Sequence, residues 1–337
     1  MALREIIGQD RAVKILLRSI QRARIPSSYL FAGEAGIGKK FTAINFAKAV
    51  NCLTPPSPPL TKGGDGGVFD ACDECYSCRK INAGVHPDFL IISPDAGQIR
   101  IEEIRAINDI LSYKAFEGRM KVIIVDEAET MNPYAANAFL KNLEQPPEDS
   151  LIILISSNPD RMLDTIKSRC SRVNFTPLSS ESCKKVILTF FTKKESEKTT
   201  EELSILARLS MGKPGLIFTG DFIEDREWCI KLLKGMLNSE KDSWTSREET
   251  EKWLDFILIL LRDTAIIKIT RDETNLVNID LKDFLTKLST SMDLKVIIET
   301  YRILDALKGY INFNLNRSLT WNYISSLLRR NMDIKYA

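Results

Sequence analysis

The chain contains no apolar run long enough to cross a bilayer. Its longest run near the carboxyl end, Phe256 to Leu261, has the length of a buried helix segment. The opening MALREIIGQD scatters charge among its apolar residues and so lacks the uninterrupted apolar stretch of a secretory signal. There is no excess of one charge either, since 47 basic and 45 acidic residues leave a formal net charge of +2. That balance excludes a chain-wide electrostatic case for wrapping nucleic acid; any such contact must be a local patch or be shared with partner subunits. Histidine occurs once, as His86, and no internal repeat is present. Seven cysteines, an odd number, argue against a disulfide framework. Together these absences predict a cytoplasmic protein with no membrane partner.

What is present is enough apolar material, 44% of 337 residues, to fill two or three cores. Residues 9 to 24 read as a helix with Val13, Leu16, Leu17 and Ile20 on one face, stopped by Pro26. Tyr29 to Ala32 is a short apolar strand, followed by GEAGIGKK and a helix over Phe41 to Val50. Residues 54 to 67, TPPSPPLTKGGDGG, read as a flexible surface insertion. Further strands are expected over Asp88 to Ile92, Val122 to Val125 and Leu151 to Ile155, with helices over Ile101 to Leu111 and Ala135 to Leu143. Alternation of short apolar strands with helices implies an α/β domain, a parallel sheet covered on both faces. Past Pro177 the alternation stops, and residues 179 to 222 read as a small helical unit, 223 to 337 as longer helices.

Gly33, Gly38 and Lys39 fit G-x-x-x-x-G-K, and Gly36 suits a tight turn. In such a loop backbone N–H groups approach phosphate oxygens, the lysine meets the terminal phosphates, and the next helix offers its positive end. The following position should carry a hydroxyl for Mg²⁺, but here it is Lys40. An ammonium about 5 Å from Mg²⁺ is repelled by at most roughly 6 kcal/mol at an effective dielectric of 20, unless its stem swings away. Thr42 is no substitute, because two helical residues rotate the side chain by about 200°. The strand ending in Asp126 and Glu127 supplies the acidic half, one carboxylate for the metal's water shell and one for an attacking water. The pattern implies nucleoside-triphosphatase ancestry, with hydrolysis lost and ATP binding weak or absent.

Cys72, Cys75 and Cys78 form C-x-x-C-x-x-C, three soft ligands within seven residues. A structural zinc wants four tetrahedral ligands. Cys52, at the end of the helix after the phosphate loop, is the expected fourth, with His86 as the alternative.

In order along the chain, IIGQD, IPSSYLFAGEAGIGKK, the cysteine cluster, GVHPDF, YKAFEGRMKVIIVDEAETM and FLKNLEQPPEDSLIILISSNPDRMLDTIKSRC resemble the clamp-loader ATPases of bacterial DNA polymerase III, members of the AAA+ superfamily. The resemblance is close to about residue 178, weak through a lid, and only of helical character beyond. It implies a P-loop domain with a zinc module (1–178), a helical lid (179–222) and an all-α collar (223–337). Ser168-Arg169-Cys170 is similar to the family's SRC motif, which implies that Arg169 reaches the ATP held by a neighbouring subunit. Lys40, together with Gly212-Lys213-Pro214-Gly215 where a motor subunit carries an arginine, is more similar to the delta-prime type than to the gamma/tau motors. That type implies a stator without catalysis of its own, partnered by gamma/tau and delta subunits, and through them by the sliding clamp and primer-template DNA. An active motor of the same loader, and a zinc-dependent nucleic-acid-binding module, stay open as alternatives. Residues 223 to 337 carry no chemical motif; Trp228, Leu232, Leu233, Trp253, Phe256, Ile257 and Leu260 are spaced as apolar helix faces.

Overall fold

In a computed structural model, described for residues 1–54, 70–193, 199–219, 222–238, 244–311 and 315–332, the chain divides into two compact units. Met1–Val186 with Gly212–Gly215 form one, and Ile187–Met211 with Leu216–Ala337 the other. The proline- and glycine-rich insertion expected over 54 to 67 lies outside the described residues, apart from Thr54.

The first unit is built on a five-stranded, wholly parallel sheet: β1 (Ser28–Ala32), β2 (Phe89–Ile92), β3 (Lys121–Val125), β4 (Ser150–Ser156) and β5 (Ser171–Asn174), in the order β2-β3-β4-β1-β5. Every residue of β1, β3 and β4 is buried, as expected of parallel strands covered on both faces. Helices α1 (Asp10–Gln21), α2 (Lys39–Asn51), α3 (Tyr76–Asn82), α4 (Ile101–Leu111), α5 (Pro133–Glu144) and the single turn α6 (Asp164–Lys167) complete it. On one face of the sheet Leu30, Ile123, Val125, Ile152 and Leu154 pack with Ile104 and Ile107 of α4 and Phe139 of α5. The opposite side of β1 presents Tyr29 and Phe31, with the Tyr29 ring 5.6 Å edge-on from Phe46 of α2. Each fully buried side chain of this size contributes about 1.5–3 kcal/mol.

β5 was not expected. Its sequence, SRVN, buries only Val173, so it carries no apolar run, yet its backbone pairs with β1 over Tyr29–Ala32. The ladder, not the side chains, makes the strand.

Past β5 every described element is helical, beginning with α7 (Ser180–Lys193) and α8 (Thr200–Leu209). In the second unit, α9 (Phe222–Leu237), α10 (Arg247–Thr270), α11 (Lys282–Ser291), α12 (Leu294–Tyr310) and α13 (Arg317–Asn331) enclose a core containing Leu232, Leu233, Trp253, Phe256, Ile257 and Leu260. The Trp244 ring lies 5.1 Å from Trp321 and 5.7 Å from Trp253 within it. Ser246 and Glu249 cap α10 reciprocally, with the Glu249 N–H donating to Ser246 Oγ at 3.1 Å. The apolar spacing seen in the sequence is therefore bundle core.

Candidate functional site

The carboxyl ends of the strands gather the polar groups, where ligands of parallel α/β sheets bind. Gly33 follows β1, Ser93 follows β2, Asp126 follows β3 and Ser157 follows β4. Gly38, left-handed at φ 98°, caps α2 and turns the loop into the helix. At Gly33 a Cβ would lie 2.5 Å from the Phe175 carbonyl oxygen, so only glycine fits against the end of β5. Buried Gln9, from the IIGQD stretch, donates through Nε2 to the carbonyls of Ile37 (3.0 Å) and Thr176 (2.8 Å). It ties the loop to the chain beyond β5, a role the sequence did not disclose.

Lys39 is 5% exposed and its ammonium donates to the carbonyls of Gly33 and Glu34 and to Ser157 Oγ at 3.3 Å. Burial lowers its pKa, and the carboxylates of Glu129, Asp126, Glu34 and Glu127 offset this only in part. The Lys40 ammonium lies 3.0 Å from Asp126 Oδ2 and donates to Ser93 Oγ at 3.4 Å. Thr42 is fully buried, and its hydroxyl donates to the Gly38 carbonyl at 2.9 Å. Glu127 sits in the left-handed region at φ 49°, and burial and the neighbouring Asp126 and Glu129 raise its pKa. Glu129, which the sequence did not single out, accepts the N–H groups of Ser157 (2.8 Å) and Asn158 (3.1 Å).

Gly212–Gly215 closes on the outside of this loop. The Gly215 N–H donates to the Gly36 carbonyl at 2.8 Å, and Lys213 pairs with Glu34. Gly33, Gly36, Gly38, Lys39, Asp126 and Glu127 are thus brought together. Arg169 is bonded instead to Thr165 and to Glu144. Its neighbour Cys170 packs against the sheet core, and burial pushes its thiol up to about 12.

The four sulfurs of Cys52, Cys72, Cys75 and Cys78 all lie within 4.8 Å of one another. Zinc–thiolate bonds of about 2.3 Å in a tetrahedron need sulfur–sulfur edges of about 3.8 Å, so the cluster has the right size. Cys52 and Cys78 are fully buried, and Cys72 and Cys75 partly so. The N–H groups of Cys75 and Cys78 point at the sulfurs of Cys72 (3.3 Å) and Cys75 (3.5 Å), as a thiolate would require. Burial opposes ionisation of Cys72, but the Thr54 hydroxyl and backbone N–H groups outweigh it and bring the thiol down to about 6.

His86 stands outside the cluster. Its Nδ1 accepts the Asp88 N–H (3.1 Å), which leaves the proton on Nε2, 3.2 Å from Ser77 Oγ. Asp88 in turn accepts three backbone N–H groups, from Phe116 (2.8 Å), Glu117 (2.8 Å) and Gly118 (2.7 Å). Burial works against the carboxylate, and those three donors still hold its pKa below the usual range. The GVHPDF stretch therefore organises the turn that feeds β3.

The family described as DNA polymerase III, delta subunit, matches residues 8–179. The DNA polymerase III subunit delta' of Bacillus subtilis is 31% identical over 280 residues, covering 79% of each chain. That of Pseudomonas aeruginosa is 31% identical over 313 residues, covering 88% of this chain and 90% of the relative. The B. subtilis DNA polymerase III subunit tau is 34% identical over 178 residues, but this spans 53% of this chain and 30% of tau. The two delta' proteins are thus matched over 79–90% of both chains, and tau over about half of this one. The chain belongs to the DNA polymerase III delta-prime subunit family.

Proposed function

We propose that the chain serves in the DNA polymerase III clamp loader as a subunit that turns over no ATP, ordering the assembly and lending Arg169 to ATP bound by a neighbouring subunit. Lys40 carries this reading. It stands where the metal-ligating hydroxyl is needed, and the one nearby hydroxyl on α2, that of Thr42, is committed to Gly38. Lys39, Asp126 and Glu127 then remain as the outline of an ancestral AAA+ site. The partners are gamma/tau and delta subunits, with the sliding clamp and primer-template DNA reached through the complex. The helical lid over 179–222 and the collar over 223–337 supply the joints. The four cysteines fit Zn²⁺, and four thiolates leave no open coordination position, so the metal's work is structural.

Steady-state ATPase of the purified chain, alone and with the motor subunits, tests the proposal. The isolated chain should show no turnover above its Lys39→Ala variant, while the reconstituted loader should lose activity when the chain is left out. Turnover by the isolated chain that disappears in Lys39→Ala sinks it and favours a motor subunit.

A further inference from the structure

The cradle does not fit a magnesium ion. In a phosphate loop of this type the carboxylate at the end of the third strand faces the cation, and here that carboxylate, Asp126, is already faced by the Lys40 ammonium at 3.0 Å. We propose that Lys40 is a resident cation and the specificity-determining residue of this cradle: it holds the metal's place on Asp126 and makes the site reject magnesium-bound nucleotide. This rests on the reading of the site as a degraded ATP cradle and goes further, because it names what took the metal's place and predicts that one substitution reverses the loss.

Three observations support it. Lys40 is seated between two strand ends, with Asp126 after β3 and Ser93 after β2 both within reach of its ammonium. A side chain merely avoiding the site would point to solvent. Second, two of the cradle's other carboxylates also have partners within the chain: Glu34 pairs with Lys213, and Oε1 of Glu129 accepts the Ser157 and Asn158 N–H groups, while its Oε2 is buried without a partner. A loop built to receive a dication would keep its metal-facing carboxylate open. Third, the exclusion does not depend on the strength of the pair. Lys40 is 46% exposed, so the ion pair itself is weak and a divalent cation could compete for Asp126. Displaced, however, the ammonium stays tethered to the first turn of α2, where it repels the incoming cation and offers no oxygen ligand.

Two probes on the full-length chain test this: Mn²⁺ binding followed by electron paramagnetic resonance, and anisotropy of a fluorescent ATP analogue with Mg²⁺ or with EDTA. For the natural chain the analogue's affinity should change less than about twofold between Mg²⁺ and EDTA, or be undetectable in both. Lys40→Thr should gain Mn²⁺ binding and bind the analogue at least about tenfold tighter with Mg²⁺ than with EDTA. Adding Asp126→Asn to that variant should cancel the gain. Lys40→Met, which removes the charge without supplying a hydroxyl, should admit Mn²⁺ and keeps the test alive if the threonine variant folds poorly. Tenfold tightening by Mg²⁺ in the natural chain, or no metal dependence gained in either folded variant, overturns the proposal. Absent ATP turnover combined with no gain in Lys40→Thr overturns this inference alone; Mg²⁺-dependent turnover by the natural chain overturns it together with the stator reading.

Discussion

Nη2 of Arg169 lies 2.8 Å from Oε1 of Glu144, while Nη1 donates to the Thr165 carbonyl at 2.8 Å. The guanidinium is thus held by the end of α5 and by the helical turn just before it. Both partners are themselves partly exposed, with 35% of the Arg169 side chain and 50% of Glu144 open to solvent, so the pair stabilises the fold by no more than about 1 kcal/mol. It orients Arg169 without immobilising it.

Arg169→Ala should therefore leave thermal stability and loader assembly nearly unchanged. It should slow hydrolysis at the neighbouring site it faces by roughly 10³-fold or more, so that whole-loader ATPase falls by that site's share. Arg169→Lys should not rescue, because an ammonium lacks the planar fork. Glu144→Gln frees the guanidinium and should preserve turnover. Unchanged loader ATPase in Arg169→Ala refutes the donated arginine.

For the cysteine cluster, metal analysis of gently purified protein should find one zinc per chain. Cys52→Ser and Cys75→Ser should each lower the zinc content and the melting temperature, and a chelator should lower the natural chain's melting temperature toward theirs. His86→Ala should keep its zinc. A zinc-free natural chain, or a zinc-free His86→Ala, contradicts a site made of the four cysteines.

His86 is the chain's one histidine, and because the Cys72 thiol, brought down to about 6, titrates in the same range, the histidine's pH signature is isolated by comparison with His86→Gln. Burial lowers its pKa, and the Glu117 carboxylate, 3.7 Å from Nε2, opposes this only in part. The unfolded chain therefore binds the proton first as pH falls. Stability from the neutral ring is complete above the unfolded value of about 6.5 and drains away as pH falls through the lower folded value. Chemical denaturation at matched zinc should show the natural chain losing more stability than His86→Gln between about pH 7 and pH 5. Parallel curves would show that the histidine plays no part in the acid response.

Gly215→Ala tests the contact of the 212–215 segment with the phosphate loop. An added Cβ would meet Gly36 backbone atoms at 2.8, 2.9 and 3.1 Å, and backbone cannot rotate out of the way as a flexible side chain can. The expected cost is about 1–3 kcal/mol, read as a lowered denaturation midpoint. A neutral substitution would show that the contact yields.

Much of the fold and of the cradle is legible in the sequence, for identifiable reasons. The phosphate loop can be read because a strand, a glycine turn and a helix are local in the chain. The sheet's central strands can be read because burial on both faces leaves continuous apolar runs. What escapes is what depends on distant backbone. β5 owes its existence to hydrogen bonds from β1, and α3 forms where the Cys75 sulfur caps it. Asp88 works through N–H groups 28 to 30 residues later, which no side-chain pattern reveals. Lys40 and Asp126 are each visible, and the sequence allows the lysine to swing clear; only the fold shows that the two meet. The choice between Cys52 and His86 likewise turns on which atoms His86 already engages.

α2 begins at Lys39 inside the phosphate cradle and ends at Asn51, immediately before Cys52 in the sulfur cluster. Its 13 residues make a stiff rod about 20 Å long, with the loop at one end and the four clustered thiols at the other. Under the stator role proposed above, no nucleotide pulls on the near end, and a metal at the far one would turn the rod into a strut that resists bending between its two moorings.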